Sequence, residues 1–433
     1  MSVLAFVVGV VVLVVGLAVS IALHEIGHLY PAKRFGVRVG QYMIGFGPTL
    51  WSRRIGETEY GVKALPLGGY ISMAGMYPPS PDRGRSGRAG GGFFATMVQD
   101  ARTANDETLA ATEQGGAFYE LPVWRRVVIM LGGPVMNLLL AVVLFTVVFS
   151  GIGIQTATTT IAAVSECVLP AGSERTACTA DDPPSPAAAA GLRPGDVLVA
   201  IDGERVDGFA AASAVIQASP GVPLTVTVER DGAEQELQLT PVRAERQVVG
   251  ADGESTTAEV GFVGMTAAVD NVRQPLWAGP QAAFANVAQV AGIIGQLPVK
   301  VYETAVDLFT GAERDPDGPL SVVGAGRLAG EVAAVDAPIV DRVSAMLGLL
   351  GSLNIALFVF NLIPLLPLDG GHVVVALWEG IRRVWARLTG RAAPAPVDAT
   401  RLVPATFVVV VGLVVMGAIL ILADVFNPIS VLG

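Results

Sequence analysis

The sequence predicts a polytopic α-helical membrane protein with four transmembrane helices, membrane-associated β-hairpins and an inserted extracytoplasmic α+β domain. Three observations carry this expectation. Of 433 residues, 52% are hydrophobic and 15% charged, where a soluble chain has about 25% charged residues. The apolar residues gather into four runs, each long enough for the roughly 20 helical residues that a bilayer requires. Between the second and third runs lies a long, acidic stretch of strand-like segments and glycine turns. This composition excludes a plain soluble enzyme and a disordered chain. The net charge of −10 also lacks the basic face that a nucleic-acid partner needs.

The elements follow in order. Residues 1–30 form the first span; no Lys or Arg precedes it and no small-residue cleavage site closes a short apolar core, so it reads as an anchor and not a cleaved signal. Residues 31–76 carry Gly40, Gly45, Gly47, Gly61, Gly68 and Gly69 between stretches such as "QYMIGF" and "EYGVKALPLGGYISM". Short strands with glycine corners predict one or two β-hairpins beside the first span. Residues 77–125 make a flexible loop, low in complexity over 78–92. The second span is 126–154 and the inserted domain 155–268. Amphipathic helices over 269–343 lead back to the membrane and lie on its surface. The third span is 344–372, a loop covers 373–401, and the fourth span is 402–426.

Charge orients these spans. The connections 31–126 and 371–401 hold 17 Lys/Arg against 10 Asp/Glu, while 151–343 holds 11 against 25. Basic loops stay on the cytoplasmic side of a bacterial plasma membrane, which places the acidic domain and both termini outside. Three acids fall within the apolar runs: Glu25, Asp369 and Asp424.

In the inserted domain, "GLRPGDVLVAIDGERV" reads as turn, strand and turn. "PLTVTVERDGAEQELQLTPV" is a hairpin reversing at Asp231-Gly232, with the helix-like "GFAAASAVIQAS" between them. Cys167 and Cys178 are the only cysteines. Outside the membrane they are free to bridge, and closing so short a loop contributes about 2–3 kcal/mol.

Of three histidines, His24 and His28 sit in "ALHEIGHLY". A spacing of four puts both imidazoles on one helical face, a turn apart, able to hold one metal ion. Glu25 follows the first and can take a proton from an attacking water without ligating. Ionisable groups on an apolar helix are costly to bury, and a metal accounts for them. Neutral imidazoles with a carboxylate suit zinc. A third ligand comes from "NLIPLLPLDGGH", where Asp369 and His372 are both able to ligate.

Taken together these residues resemble the site-2 protease family of intramembrane zinc metalloproteases. The match is to its actinobacterial, mycobacterial-type members and more distantly to the enterobacterial regulator-of-sigma-E protease. It rests on His24-Glu25-x-x-His28, on Asn361-x-x-Pro364 leading to Leu368-Asp369-Gly370, on Gly133-Pro134-x-x-Asn137, on "PLGGY" at 66–70 and on "GPLSVVG" at 318–324. The inserted domain resembles a PDZ domain, which binds a peptide or carboxyl terminus by strand addition. Enterobacterial relatives carry two such domains in tandem and one is legible here.

The resemblance implies Zn2+ held by His24, His28 and Asp369, with Glu25 as catalytic base. It implies substrate contacts from Asn361 and Pro364, and from Gly68, Gly69 and Tyr70 in a β-element that pairs with the unwound substrate. Asn137 is either a further substrate contact or a helix–helix hydrogen bond. The implied substrates are single-pass transmembrane proteins in the lipid bilayer, such as anti-sigma factors already trimmed outside. Two other classes remain as alternatives: an inactive PDZ-bearing membrane scaffold, and a metal-linked transporter, which would need an internal repeat of broken helices.

Overall fold

Apolar helix-forming runs, cut by proline and glycine, set the element order in the computed structural model. It describes residues 2–79, 96–99, 102–103, 116–169, 177–179, 182–249, 255–315, 318–392 and 394–429. Helix α1 (Val3–Arg34) leads into strands β1 (Val39–Ile55) and β2 (Thr58–Met73), then α2 (Val123–Thr146). The inserted segment follows with β3 (Ile154–Val164), β4 (Val197–Ile201), α3 (Phe209–Gln217), β5 (Leu224–Arg230), β6 (Ala233–Leu239), β7 (Val242–Val249), β8 (Ser255–Phe262) and β9 (Met265–Val272). Helices α4 (Ala278–Thr310), α5 (Val322–Ala334), α6 (Ile339–Asn361), α7 (Asp369–Leu388) and α8 (Val403–Phe426) complete the chain. Residues Ile152–Gln274 form one compact unit and the remainder a second.

In the helical unit α1 and α2 meet backbone to backbone. A Cβ on Gly27 would lie 2.2 Å from the Gly132 carbonyl oxygen, and one on Gly132 1.9 Å from that of Gly27. Small residues permit this approach, which replaces the missing hydrophobic force between helices in lipid. On the other flank, fully buried Asn354 of α6 donates to Ser20 Oγ at 2.9 Å. Helix α5 packs Ala325 and Ala329 on Leu13, with Met346 and Leu350 of α6 in the same cluster. Asp424 pairs with Arg314 at 2.5 Å and accepts from the backbone N–H groups of Ser321 and Gly324. That buried acid therefore sits where the first turn of α5 exposes its donors.

Strands β1 and β2 make a wider sheet than a simple hairpin. Gln41 to Ile44 have partners on both sides, Glu59 to Val62 on one and Gly69 to Ser72 on the other. The sheet is tied to α1 by Tyr42, whose hydroxyl donates to the Ala22 carbonyl at 2.8 Å. Val39, Tyr42 and Met73 share a core with Leu29, Phe118 and Ile129.

The inserted unit holds strands in the order β9-β3-β4-β5-β6, with Glu204–Arg205 pairing with β4 and a separate β7–β8 hairpin. Alternation along β5 sends Leu224, Val226 and Val228 into a core with Leu198, Ile201 and Ile216. Asp231 and Gly232 both have positive φ (52° and 78°), as a primed two-residue turn requires. Asp196, 1% exposed, accepts from Arg230 at 2.7 and 2.8 Å and from the Arg193 N–H, so the "RPGD" turn is locked to β5. A disulfide joins Cys167 to Cys178.

Several boundaries differ from those expected. Among the described residues five helices, one more than the four expected spans, are long and apolar enough by length and composition to cross a bilayer. The addition is α4, a single 33-residue helix where residues 269–343 were expected to form surface helices. Its polar positions before Lys300 are the uncharged Gln281, Asn286, Gln289 and Gln296. The third span ends at Asn361 and not at 372, because Pro364 and Pro367 withdraw backbone donors. A new helix, α7, then occupies much of the expected 373–401 loop. The inserted unit runs past 268, since β9 extends to Val272. Of the low-complexity stretch at 78–92, residues 80–92 lie outside the described residues.

Candidate metal centre

Three side chains converge where α1, α2 and α7 meet. His24 and His28 project from one face of α1, as their spacing dictates, and Asp369 is the first residue of α7. The two Nε2 atoms lie 3.2 Å apart, and Asp369 Oδ2 lies 3.4 Å from each. Ligand bonds of 2.0–2.1 Å at tetrahedral angles put neighbouring donors about 3.4 Å apart. Asp369 Oδ2 is buried and accepts no hydrogen bond. A carboxylate oxygen and two imidazole nitrogens turned on one point thus fit a zinc ion.

The ring orientations agree with this. His28 Nδ1 is 2.7 Å from the Ile129 carbonyl, so Nδ1 carries the proton it donates and Nε2 presents its lone pair inward. The Asn137 amide nitrogen lies 3.2 Å from His24 Nδ1, while its Oδ1 is buried without a partner. The two ends of an amide exchange by a half-turn. With oxygen toward the ring, His24 Nδ1–H donates to it and His24 Nε2 is free in the same sense as His28 Nε2. Asn137 is 1% exposed and its amide meets the His24 ring, the kind of contact that the helix–helix alternative expects.

Gly133, quoted as part of a motif but given no role by the sequence, forms the wall opposite the imidazoles. A Cβ there would lie 2.2 Å from His28 Nε2 and 2.7 Å from His24 Nε2, inside the space the donors surround. Its only mark in the sequence is its place one helical turn before Asn137.

Glu25 is buried on α1, and Gly69 of β2 presses against it: a Cβ on Gly69 would lie 3.0 Å from Glu25 Cγ. Gly68 (φ +146°) fits under the Phe46 ring, and the Tyr70 hydroxyl donates to Gln41 Oε1 at 3.2 Å. Of these three residues Gly69 borders the centre directly, while Gly68 and Tyr70 contact Phe46 and Gln41 of β1. Asn361 ends α6, half-buried and without a hydrogen bond from its amide among the described residues. Pro364 is exposed in the turn that follows. His372, the rival ligand, stands a turn along α7 beside Tyr77, with ring centroids 6.4 Å apart, and is not among the clustered donors.

Two imidazoles and one carboxylate, with an adjacent acid, are the donor set and base of a zinc metallopeptidase. A family model described as peptidase family M50 matches residues 12–398. The zinc metalloprotease Rip1 of Mycobacterium tuberculosis is 36% identical over 435 residues, covering 98% of both chains. Rip1 of Mycolicibacterium smegmatis is 35% identical over 446 residues, 98% of this chain and 99% of that one. The metalloprotease MmpA of Caulobacter vibrioides is 27% identical over 398 residues, 88% of each. The chain belongs to peptidase family M50, the site-2 proteases, and is a membrane-embedded zinc metalloendopeptidase.

Proposed function

We propose that this protease hydrolyses a peptide bond in or near the transmembrane helix of single-pass membrane proteins, of the anti-sigma-factor kind, after their outer part has been trimmed. The observation that carries this reading is the donor set His24, His28 and Asp369 between helices apolar enough to span a bilayer. A substrate reaching that point is itself within the membrane.

His24, His28 and Asp369 would hold the zinc. When bound, zinc supplies Lewis acidity, acidifying water and polarising the scissile carbonyl. Glu25 accepts the water's proton and returns it to the leaving amine. Asn137 and the Ile129 carbonyl keep both imidazoles in the ligating tautomer. A helix hides its own peptide bonds, so the substrate must unwind. Among the described residues the β2 segment Gly69–Met73 pairs with β1 on one side only, which supports its free edge beside Glu25 as the strand partner of the unwound segment. Asn361 and Pro364, in the turn before Asp369, complete the substrate path.

The metal-site side is read as cytoplasmic from the basic loops. Four crossings are favoured even though five helices qualify. Gly279, at the start of α4, rests on Thr146 at the end of α2, and Ala312, past its end, accepts from Asn427 beyond the end of α8. Both partners lie at the ends of helices that leave the metal-site side, so α4 begins and finishes on the other side. The inserted unit is read as a single extracytoplasmic PDZ-like gate. A cavity of about 250 Å³ between α3 and Val260–Met265, lined by Phe209, Ile216 and Phe262, supports a peptide site there.

The test is to purify the chain, measure bound zinc, and assay cleavage of a model transmembrane substrate by the parent and by Glu25→Gln. Zinc retained with turnover lost supports the reading; undiminished turnover by the variant overturns it.

A further inference from the structure

Helix α7 is inverted relative to a soluble amphipathic helix. Its buried carboxylate faces the protein: Glu379, 1% exposed, accepts from Arg126 at 2.9 Å and is also paired with Arg383. Buried Ala376 and Ala386 share that side. The side turned away is a stripe of large apolar residues at three- and four-residue spacing. Leu377, Trp378, Ile381, Val384, Trp385 and Leu388 are all between 48% and 79% exposed. Water does not accommodate so broad an apolar face, and lipid does.

Its depth is fixed by two neighbours. A Cβ on Gly380 would lie 3.4 Å from Val123, the first residue of α2, so α7 passes the bundle at the level where that apolar helix begins. The last apolar helix starts at Thr400, twelve residues after Leu388. Both place α7 at the boundary between hydrocarbon and headgroups, where tryptophan concentrates. There Trp378, Ile381, Trp385, Arg382 and Arg391 line an open groove of about 430 Å³. Among the described residues no carboxylate pairs with Arg382, Arg387 or Arg391, which flank the apolar stripe. A groove with indole walls and two uncompensated guanidiniums matches one occupant in that setting, a phospholipid with an anionic headgroup.

We propose that α7 lies in the plane of the membrane, in the leaflet on the metal-site side, and binds an anionic phospholipid in the Trp378–Trp385 groove through Arg382 and Arg391. Because Asp369 is the first residue of α7, lipid held here anchors the helix that carries a metal ligand. The proposal rests on the reading of the apolar helices as membrane spans, and its test does not depend on proteolysis.

The full chain is reconstituted with Trp51, Trp124 and Trp277 replaced by Phe, leaving Trp378 and Trp385 as emitters. Brominated phosphatidylglycerol in phosphatidylcholine is compared with the same fraction of brominated phosphatidylcholine in phosphatidylglycerol. Stronger quenching by the brominated anionic lipid is expected. R382Q/R391Q should abolish that preference, each arginine being worth about fivefold in local enrichment. Equal quenching by the two lipids overturns the anionic site. Quenching by neither overturns the membrane face and points to a protein covering it. Should the triple Phe variant misfold, a nitroxide on I381C serves in the parent background, whose own cysteines are bridged. Collisions favouring oxygen over a nickel chelate are expected, and the reverse overturns the proposal.

Discussion

The amide of Asn137 on α2 lies 3.2 Å from Nδ1 of His24 on α1. Among the described residues it is the side-chain contact that fixes which nitrogen of His24 keeps its proton, as the Ile129 carbonyl does for His28. Replacing a partner that orients a ligating histidine typically costs 10–100-fold in metal affinity. Asn137→Ala should weaken zinc binding by about that factor, measured by competition with a chromophoric chelator. Asn137→Asp, which still accepts from Nδ1–H, should restore most of it. Equal losses in both variants would mean that Asn137 only packs.

Gly133 leaves the space into which both Nε2 atoms point. In Gly133→Ala the new methyl would lie 2.2 Å from His28 Nε2, displacing that ring or filling the ion's place. The variant should insert and fold, read by helical circular dichroism in detergent, yet purify with little zinc and little activity. Stoichiometric zinc in a folded variant would contradict this geometry.

Gly69 joins the sheet to the catalytic helix, with Glu25 Cγ 3.0 Å from where its Cβ would be. Gly69→Val pushes on Glu25 and on the strand edge while leaving the three metal donors untouched. Cleavage of a transmembrane substrate should fall at least tenfold with zinc content unchanged. If activity and zinc fall together, the effect is general unfolding and the sheet's part in substrate handling loses its support.

The Arg230 guanidinium beside Asp196 holds that carboxyl below the usual carboxylate range in the inserted unit. A lowered folded-state pKa gives stability that is present above the unfolded value, about 3.9, and is lost as pH falls through the folded one. Arg230→Ala should therefore lower the urea midpoint of this unit at neutral pH, followed by limited proteolysis of the full chain. The difference between parent and variant should shrink as pH drops below about 4.

Much of the centre was legible because it depends on local periodicity. His24 and His28 share a face whatever surrounds α1, since four residues make about one helical turn. Strands such as β5 announce themselves by alternation, and the Asp231-Gly232 turn by its positive φ demands. Choosing between Asp369 and His372 was another matter. Both lie within a few residues on one chain segment, and only the restart of helix at Asp369 aims one at the imidazoles and sends the other toward Tyr77.

What the sequence determined by itself was the membrane setting, the order of elements and the residue types of a zinc protease. These are set by hydropathy and by spacing along one helix. Tertiary structure decided the surroundings of Gly133 and Asn137, the break after Asn361 and the reversed face of α7. Each of these depends on which backbone passes within van der Waals distance of which side chain. That distance is set by the meeting of α1 and α2 at Gly27 and Gly132, residues that in a sequence read only as small.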